Sequence, residues 1–122
     1  MKKNIKILVI DDEENVLKSV RKVILSKFHD FEIELVSTST QCLKHITQMH
    51  FDLLITDLIM PEINGTDLIK KIRQINGQIK IIVITGNATM KTYTESNQAG
   101  ADIFIPKPFT RKELLKAINL LF

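Results

Sequence analysis

The sequence predicts an α/β fold: a parallel five-stranded sheet covered on both faces by five helices, forming a three-layer sandwich. Three observations predict it. Segments with strand-like and helix-like periodicity alternate five times along the chain. The inner strands, such as Ile7-Leu8-Val9-Ile10 and Ile81-Ile82-Val83-Ile84, are apolar at consecutive positions, as burial on both faces requires. The conspicuous polar residues Asp11, Asp12, Asp57, Thr85 and Lys107 all fall where a strand ends, and in open parallel sheets the binding crevice lies at the carboxyl ends of the strands.

The elements follow in order. Ile5 to Ile10 is a β-branched run that stops at Asp11-Asp12-Glu13-Glu14, a buried strand entering an acidic loop. Val16, Val20, Val23, Ile24 and Lys27 recur at helical spacing, and the acidic residues before them complement the positive end of a helix dipole. Phe31 to Val36 alternates apolar with charged residues, which places this second strand at a sheet edge with one solvated face. Ser37 or Thr38 caps the next helix, whose apolar face is Cys42, Leu43, Ile46 and Met49, ending at His50. Phe51 to Asp57 is a third strand closed by a carboxylate, followed by a loop marked by Pro61 and Gly65. Leu68, Ile69, Ile72 and Ile75 define the third helix, closed by Asn76-Gly77, and Ile79 to Thr85 is the strongest strand of the chain. Met90 to Gln98 carries few apolar anchors and predicts the least firmly packed helix, ending near Ala99-Gly100. Ile103-Phe104-Ile105 is the fifth strand, stopped by Pro106-Lys107-Pro108, and Leu114, Leu115, Ile118 and Leu121 supply the last helix.

A chain of 122 residues is the size of one domain, read here as residues 1–122, and can bury a core without disulfide or structural metal. The formal charge of +3 is modest, and the lysines are scattered among acidic residues rather than aligned in a stripe, so no direct nucleic-acid contact is expected. Cys42 is the single cysteine and sits among helix-periodic apolar residues, which gives it a packing role. His29, His45 and His50 have no metal-ligand spacing. The apolar run Ile81 to Ile84 is far too short to span a bilayer, and the N-terminal segment turns acidic before a signal-peptide apolar region could form, so a cytoplasmic location without membrane attachment is expected.

Three carboxylates gathered at one sheet end repel one another unless a cation neutralises them, and a hard divalent ion with oxygen ligands, best Mg²⁺, suits Asp11, Asp12 and Asp57. Lys107 adds a second positive charge and Thr85 a hydroxyl donor, which together fit the spread charge of a transferring phosphoryl group, with Asp57 free to be the nucleophile. Taken singly, each residue has an ordinary explanation: a strand-end Asp is usually a cap or turn residue, and a loop Lys is usually solvated. Their conjunction in one crevice points to phosphoryl transfer.

The same residues carry a family likeness. Val9-Ile10-Asp11-Asp12-Glu13, Ile55-Thr56-Asp57 running on to Met60-Pro61-Glu62-Ile63-Asn64-Gly65, Ile84-Thr85-Gly86, Ala99-Gly100-Ala101-Asp102 and Phe104-Ile105-Pro106-Lys107-Pro108-Phe109, in that order, resemble the receiver domain of response regulators in two-component signalling, over the whole chain. The resemblance implies a flavodoxin-like sheet of order 2-1-3-4-5. It implies that Asp57 is the phosphoacceptor, taking the phosphoryl group from a histidine kinase or histidine phosphotransfer protein. It also implies that Asp12 and Asp57 ligate Mg²⁺ directly, that Asp11 does so through water, and that the Ile59 carbonyl completes the set. Lys107 would pair with the phosphoryl group, its bond to Pro108 would be cis, and Gly65 would permit a tight turn. Such a protein catalyses only its own phosphorylation and dephosphorylation. Thr85 and Phe104 would form its switch, and the face made by helix four, strand five and helix five would meet a downstream effector or a second copy. Phe104 lacks the hydroxyl of the tyrosine common at this place. Ile59 and Asn87 stand where water approaches in the family and offer no general base, so slow spontaneous dephosphorylation is expected; Ile59→Asn should accelerate it, and an unchanged rate would count against shielding by Ile59.

Three other readings are weaker. A haloacid-dehalogenase-type phosphohydrolase needs a second acid two residues after the nucleophile, where Ile59 stands. A flavodoxin-like nucleotide binder needs a phosphate loop where Asp11 to Glu14 would repel phosphate. A degenerate receiver that docks partners without phosphorylation would be expected to lack site residues that this chain retains.

Overall fold

A computed structural model describes residues 4–122. The elements alternate as β1 (Lys6–Ile10), α1 (Glu14–Leu25), β2 (Glu32–Val36), α2 (Ser39–Gln48), β3 (Leu53–Thr56), α3 (Gly65–Ile75), β4 (Lys80–Thr85), α4 (Met90–Ala99), β5 (Ile103–Pro106) and α5 (Arg111–Leu121). All strand pairs are parallel and the sheet order is β2-β1-β3-β4-β5, as expected. β2 lies at one edge with its outward residues solvated, and the other edge strand, β5, ends on Pro106, where a missing N–H is tolerated.

Strand alternation divides the core in two. Leu8, Ile10, Leu54, Ile81 and Val83 point to the face covered by α2, α3 and α4, meeting Cys42, Ile46, Leu68, Ile69, Ile72 and Ala99. Ile7, Val9, Leu53, Ile55, Ile82 and Ile84 point to the other face, where Leu17, Val20 and Ile24 of α1 and Leu114, Ala117 and Ile118 of α5 cover them. Sheets buried on both sides need consecutive apolar residues, and β1, β3 and β4 have them.

Local details refine the expectations. In α1 the buried line is Leu17, Val20 and Ile24; Val16 and Val23 only flank it, and Lys27 lies exposed beyond the last turn. Both sets have helical spacing, and contact with the sheet selects the one carrying the larger leucine. Thr38 rather than Ser37 caps α2, its hydroxyl accepting the Gln41 N–H. α2 stops at Gln48, so Met49 turns extended and leaves the helical face it was expected to continue. α3 does end at Asn76, but not through a left-handed glycine: among the described residues only Gly100 has positive φ. The Asn76 side chain instead accepts the N–H groups of Gln78 and Ile79, an Asx turn that leads into β4. α4 buries only Ser96 and Ala99, in keeping with its predicted loose packing. No helix among the described residues is long and apolar enough to cross a membrane.

Candidate functional site

Strand register brings the predicted residues together. Ile10 pairs with Thr56, so the next residues, Asp11 and Asp57, leave adjacent strands side by side. Thr85 pairs with Pro106, so Lys107 emerges beside Thr85 and its N–H donates to the Thr85 carbonyl at 2.8 Å. The Lys107 ammonium then reaches back across the sheet end and bridges two carboxylates, donating to Asp57 Oδ2 at 2.8 Å and Asp11 Oδ2 at 3.1 Å. Asp11, Asp57 and Thr85 are buried, Lys107 half-buried and Asp12 exposed.

The two Asp57 oxygens are held differently. Oδ1 accepts the N–H groups of Leu58 at 2.6 Å and Ile59 at 3.2 Å, whereas Oδ2 is held by the lysine. Asp11 Oδ1 accepts the Glu13 N–H at 2.9 Å. Burial lifts the Asp11 carboxyl above the ordinary Asp range, against the pull of the Glu13 N–H and of Lys107. Burial draws Lys107 down, but the hydrogen bonds and charges of Asp57 and Asp11 more than offset this and hold the ammonium above its usual value. The lysine is therefore charged at neutral pH.

One carboxylate oxygen from each of Asp11, Asp12 and Glu13 lies within 4.8 Å of the others. An all-oxygen group at an open sheet end suits a hard divalent cation. Glu13 joins this cluster although its place before a helix reads, in sequence, as dipole complementarity; it is the N-cap residue of α1 but its side chain makes no capping bond. Asp57 is linked to Asp11 through Lys107, whose ammonium bridges their Oδ2 atoms. The Ile59 backbone forms an isolated antiparallel bridge with Asn64, and its side chain is exposed on the rim of a groove of about 410 Å³ that Asn87 also lines.

Gly65 differs from its expectation. It has no positive φ, so no turn demands glycine there. A Cβ at this position would lie 2.4 Å from Leu58 Cα and 2.6 Å from the Asp57 carbonyl oxygen, so glycine lets the start of α3 press against the backbone that carries Asp57. The Lys107–Pro108 peptide is cis. The buried Thr85 hydroxyl accepts the Asn87 N–H at 3.2 Å, and Phe104 is half-buried with its ring edge-on to Tyr93 at 5.5 Å between centroids. Cys42 is buried and burial pushes its thiol up to about 12, consistent with a packing role. The histidines stay apart: His29 and His45 lie against backbone carbonyls one turn earlier, and His50 lies 3.1 Å from Asp52.

Similarity to known proteins agrees with this arrangement. Residues 7–119 match the family described as the response regulator receiver domain. The chain is 30% identical over 118 residues to the response regulator MprA of Mycobacterium ulcerans, a match that covers 97% of this chain and 50% of that protein. MprA of Mycobacterium tuberculosis gives the same figures, 30% identity with 97% and 50% covered, so the chain spans about half the length of these curated relatives. Among solved structures, a CheY-like receiver domain protein from Methanospirillum hungatei superposes with a TM-score of 0.88 at 31% identity, covering 95% of this chain and 91% of that one. The chemotaxis response regulator CheY4 of Vibrio cholerae shares the fold at a TM-score of 0.87 and 23% identity, with 97% and 98% covered. The family match spans nearly every described element, and this chain belongs to the response regulator receiver domain family.

Proposed function

We propose that Asp57 is the phosphoacceptor of a two-component switch, phosphorylated by a histidine kinase or histidine phosphotransfer protein. The observation that carries this reading is the Lys107 bridge, which sets a permanent positive charge between Asp57 and Asp11 at 2.8 and 3.1 Å. Oδ1 of Asp57 is fixed by two backbone N–H groups, and Oδ2, which faces the Lys107 ammonium, is the attacking oxygen. Its lone pair forms the new P–O bond while the P–N bond of a phosphohistidine breaks and the electron pair returns to the imidazole, which takes up a proton. Lys107 then follows the charge from carboxylate to phosphoryl oxygen, and Thr85 turns its hydroxyl toward another phosphoryl oxygen. Asp11, Asp12 and Asp57 with the Ile59 carbonyl would hold Mg²⁺, with Glu13 beside them, and the ion when bound supplies positive charge to the phosphoryl oxygens.

The switch follows from Thr85. Drawing its hydroxyl inward breaks the bond from Asn87 and shifts the loop toward α4, and Phe104 turns into the vacated space, changing the α4–β5–α5 face that an effector or a second copy meets. Crystals with and without beryllofluoride should show two rotamers of Phe104, and one buried rotamer in both would remove it from the switch.

The primary test is the intact mass of the native chain and of Asp57→Asn after incubation with acetyl phosphate and Mg²⁺. A single phosphoryl adduct on the native chain alone supports the reading. A folded native chain that gains none in the presence of Mg²⁺ would favour a phosphorylation-independent docking module.

A further inference from the structure

Arg73, in the last turn of α3, places its guanidinium where several chain segments end. Nε and Nη2 donate to the Gly100 carbonyl at 3.1 and 2.7 Å, Nη1 donates to the carbonyls of Gly77 at 3.2 Å and of Ile79, and Nη2 also donates to Asp102 Oδ2 at 3.1 Å. A guanidinium has five N–H groups in one plane, and five bonds are made here. The same Asp102 oxygen accepts the Ile81 N–H at 2.8 Å. One side chain thus joins the ends of α3 and α4 to the starts of β4 and β5. Gly100, the C-cap of α4 with φ of 120°, lies flat against it, and a Cβ there would sit 2.8 Å from Arg73 Nε and 2.9 Å from Cγ.

Among the described residues the other end of α4 has no such fastening. Its two buried residues, Ser96 and Ala99, both belong to the C-terminal half. Met90 is 80% and Tyr93 47% exposed, and Gly86 to Thr89, which connect the helix to Thr85, are exposed throughout. The bonds at this end are local: Thr89 and Thr92 cap each other, and the Thr92 hydroxyl donates to the Asn87 carbonyl at 2.6 Å. Beyond them stands the edge contact between Tyr93 and Phe104.

We propose that Arg73 makes the C-terminal end of α4 a fixed pivot about which the N-terminal half of the helix opens and closes. A displacement at Thr85 then passes through residues 86–89 into residues 90–95, while Ser96 to Asp102 stay seated on α3 and β4. Arg73 is a positioning residue for the output helix and touches nothing at the phosphorylation site. The phosphorylation reading enters only as the drive for the opening; the pivot itself is a property of the resting chain.

Amide hydrogen exchange of the whole chain, corrected for intrinsic rates, tests this. In the native chain residues 90–95 should exchange at least about tenfold faster than 96–102, since local opening follows the lack of buried contacts. Arg73→Lys keeps a charge but presents its donors from one point and cannot span the four carbonyl and carboxylate groups. It should raise exchange at 96–102 by about tenfold while the amides of β1 and β3 stay unchanged. Asp102→Asn, which retains an acceptor for Ile81, should show a smaller rise in the same segment and serves if the lysine variant does not fold. Uniform exchange along native α4, or full protection of 96–102 in the variants, would overturn the pivot. Within residues 85–102, adding beryllofluoride and Mg²⁺ should alter 85–95 alone; a response running on through Gly100 would also overturn it. No response anywhere would count against the phosphorylation switch instead, with the native gradient and the variants still deciding the pivot.

Discussion

α3 and α4 lie side by side on one face of the sheet, have 11 and 10 residues, and each follows a loop that starts at the site, yet they are held by different means. α3 inserts Leu68, Ile69 and Ile72, all fully buried, and its first residue, Gly65, abuts the backbone of Asp57 and Leu58. α4 offers only a serine and an alanine to the core, and its larger apolar residues, Met90 and Tyr93, face solvent. Dispersion and area burial therefore anchor the helix after Asp57, while directed polar bonds from Arg73 anchor one end of the helix after Thr85. The difference teaches where the fold can move. On the proposed switch, a small change beside Asp57 would meet a rigid floor in α3, and the compliant path would lead through Thr85 into α4.

The comparison breaks if the two helices prove equally costly to disturb. Leu68→Ala empties a fully buried site and should cost about 2–5 kcal/mol. Tyr93→Ala removes a half-exposed ring whose main aromatic contact is edge-on to Phe104 and should cost about 0.5–1.5 kcal/mol. Urea midpoints at unchanged slope measure both, and equal losses would refute the contrast. Gly65→Ala comes between them. Its Cβ would meet Leu58 Cα at 2.4 Å, and because backbone cannot rotate away the expected cost is about 1–3 kcal/mol. The displaced Leu58 also carries the N–H that holds Asp57 Oδ1, so the variant should form the phosphoryl adduct more slowly than the native chain even under conditions where both are folded.

Much of this contrast is legible in the sequence. The apolar spacing of Leu68, Ile69 and Ile72 against the threonine- and asparagine-rich run from Met90 to Gln98 distinguishes the two helices before any coordinates, and strand-end positions gather Asp11, Asp57, Thr85 and Lys107 into one crevice. What stays illegible depends on distance in space. Gly65 reads as a turn residue because nothing local shows that α3 presses on the chain at Leu58. Asn76-Gly77 offers both an Asx turn and a glycine cap, and the demand of β4 for partners at Gln78 and Ile79 selects the first. Nothing in the sequence singles out Arg73, because its acceptors lie as far away as Asp102. Glu13 is hidden for the opposite reason: its local explanation as a helix-start acid is sufficient, and its approach to Asp11 and Asp12 appears only in the folded loop.

The smallest expected effect sharpens the contrast between the two loops rather than the two helices. The loop after Asp57 is tied to its neighbour: Glu62 Oε1 accepts the Ser39 N–H at 2.6 Å, a carboxylate at the start of α2, where the helix dipole favours negative charge. The loop after Thr85 is closed mainly by its own threonines. The Ser39 bond holds the Glu62 carboxyl below its ordinary range, so folding favours the charged form. A depressed folded value contributes stability that is complete above the unfolded value and fades as pH falls through the folded one. Glu62→Gln keeps an acceptor but loses the charge, so the native chain should be the more stable of the two at neutral pH, by less than the Tyr93 substitution costs because the side chain is exposed. On acidification below the ordinary glutamate range that advantage should shrink toward zero, while pH-dependent contributions common to both chains, Asp11 included, cancel in the difference. Urea titrations of the pair across acid pH measure it; a difference that grows on acidification would mean that the carboxylate is strained at Ser39 rather than held by it.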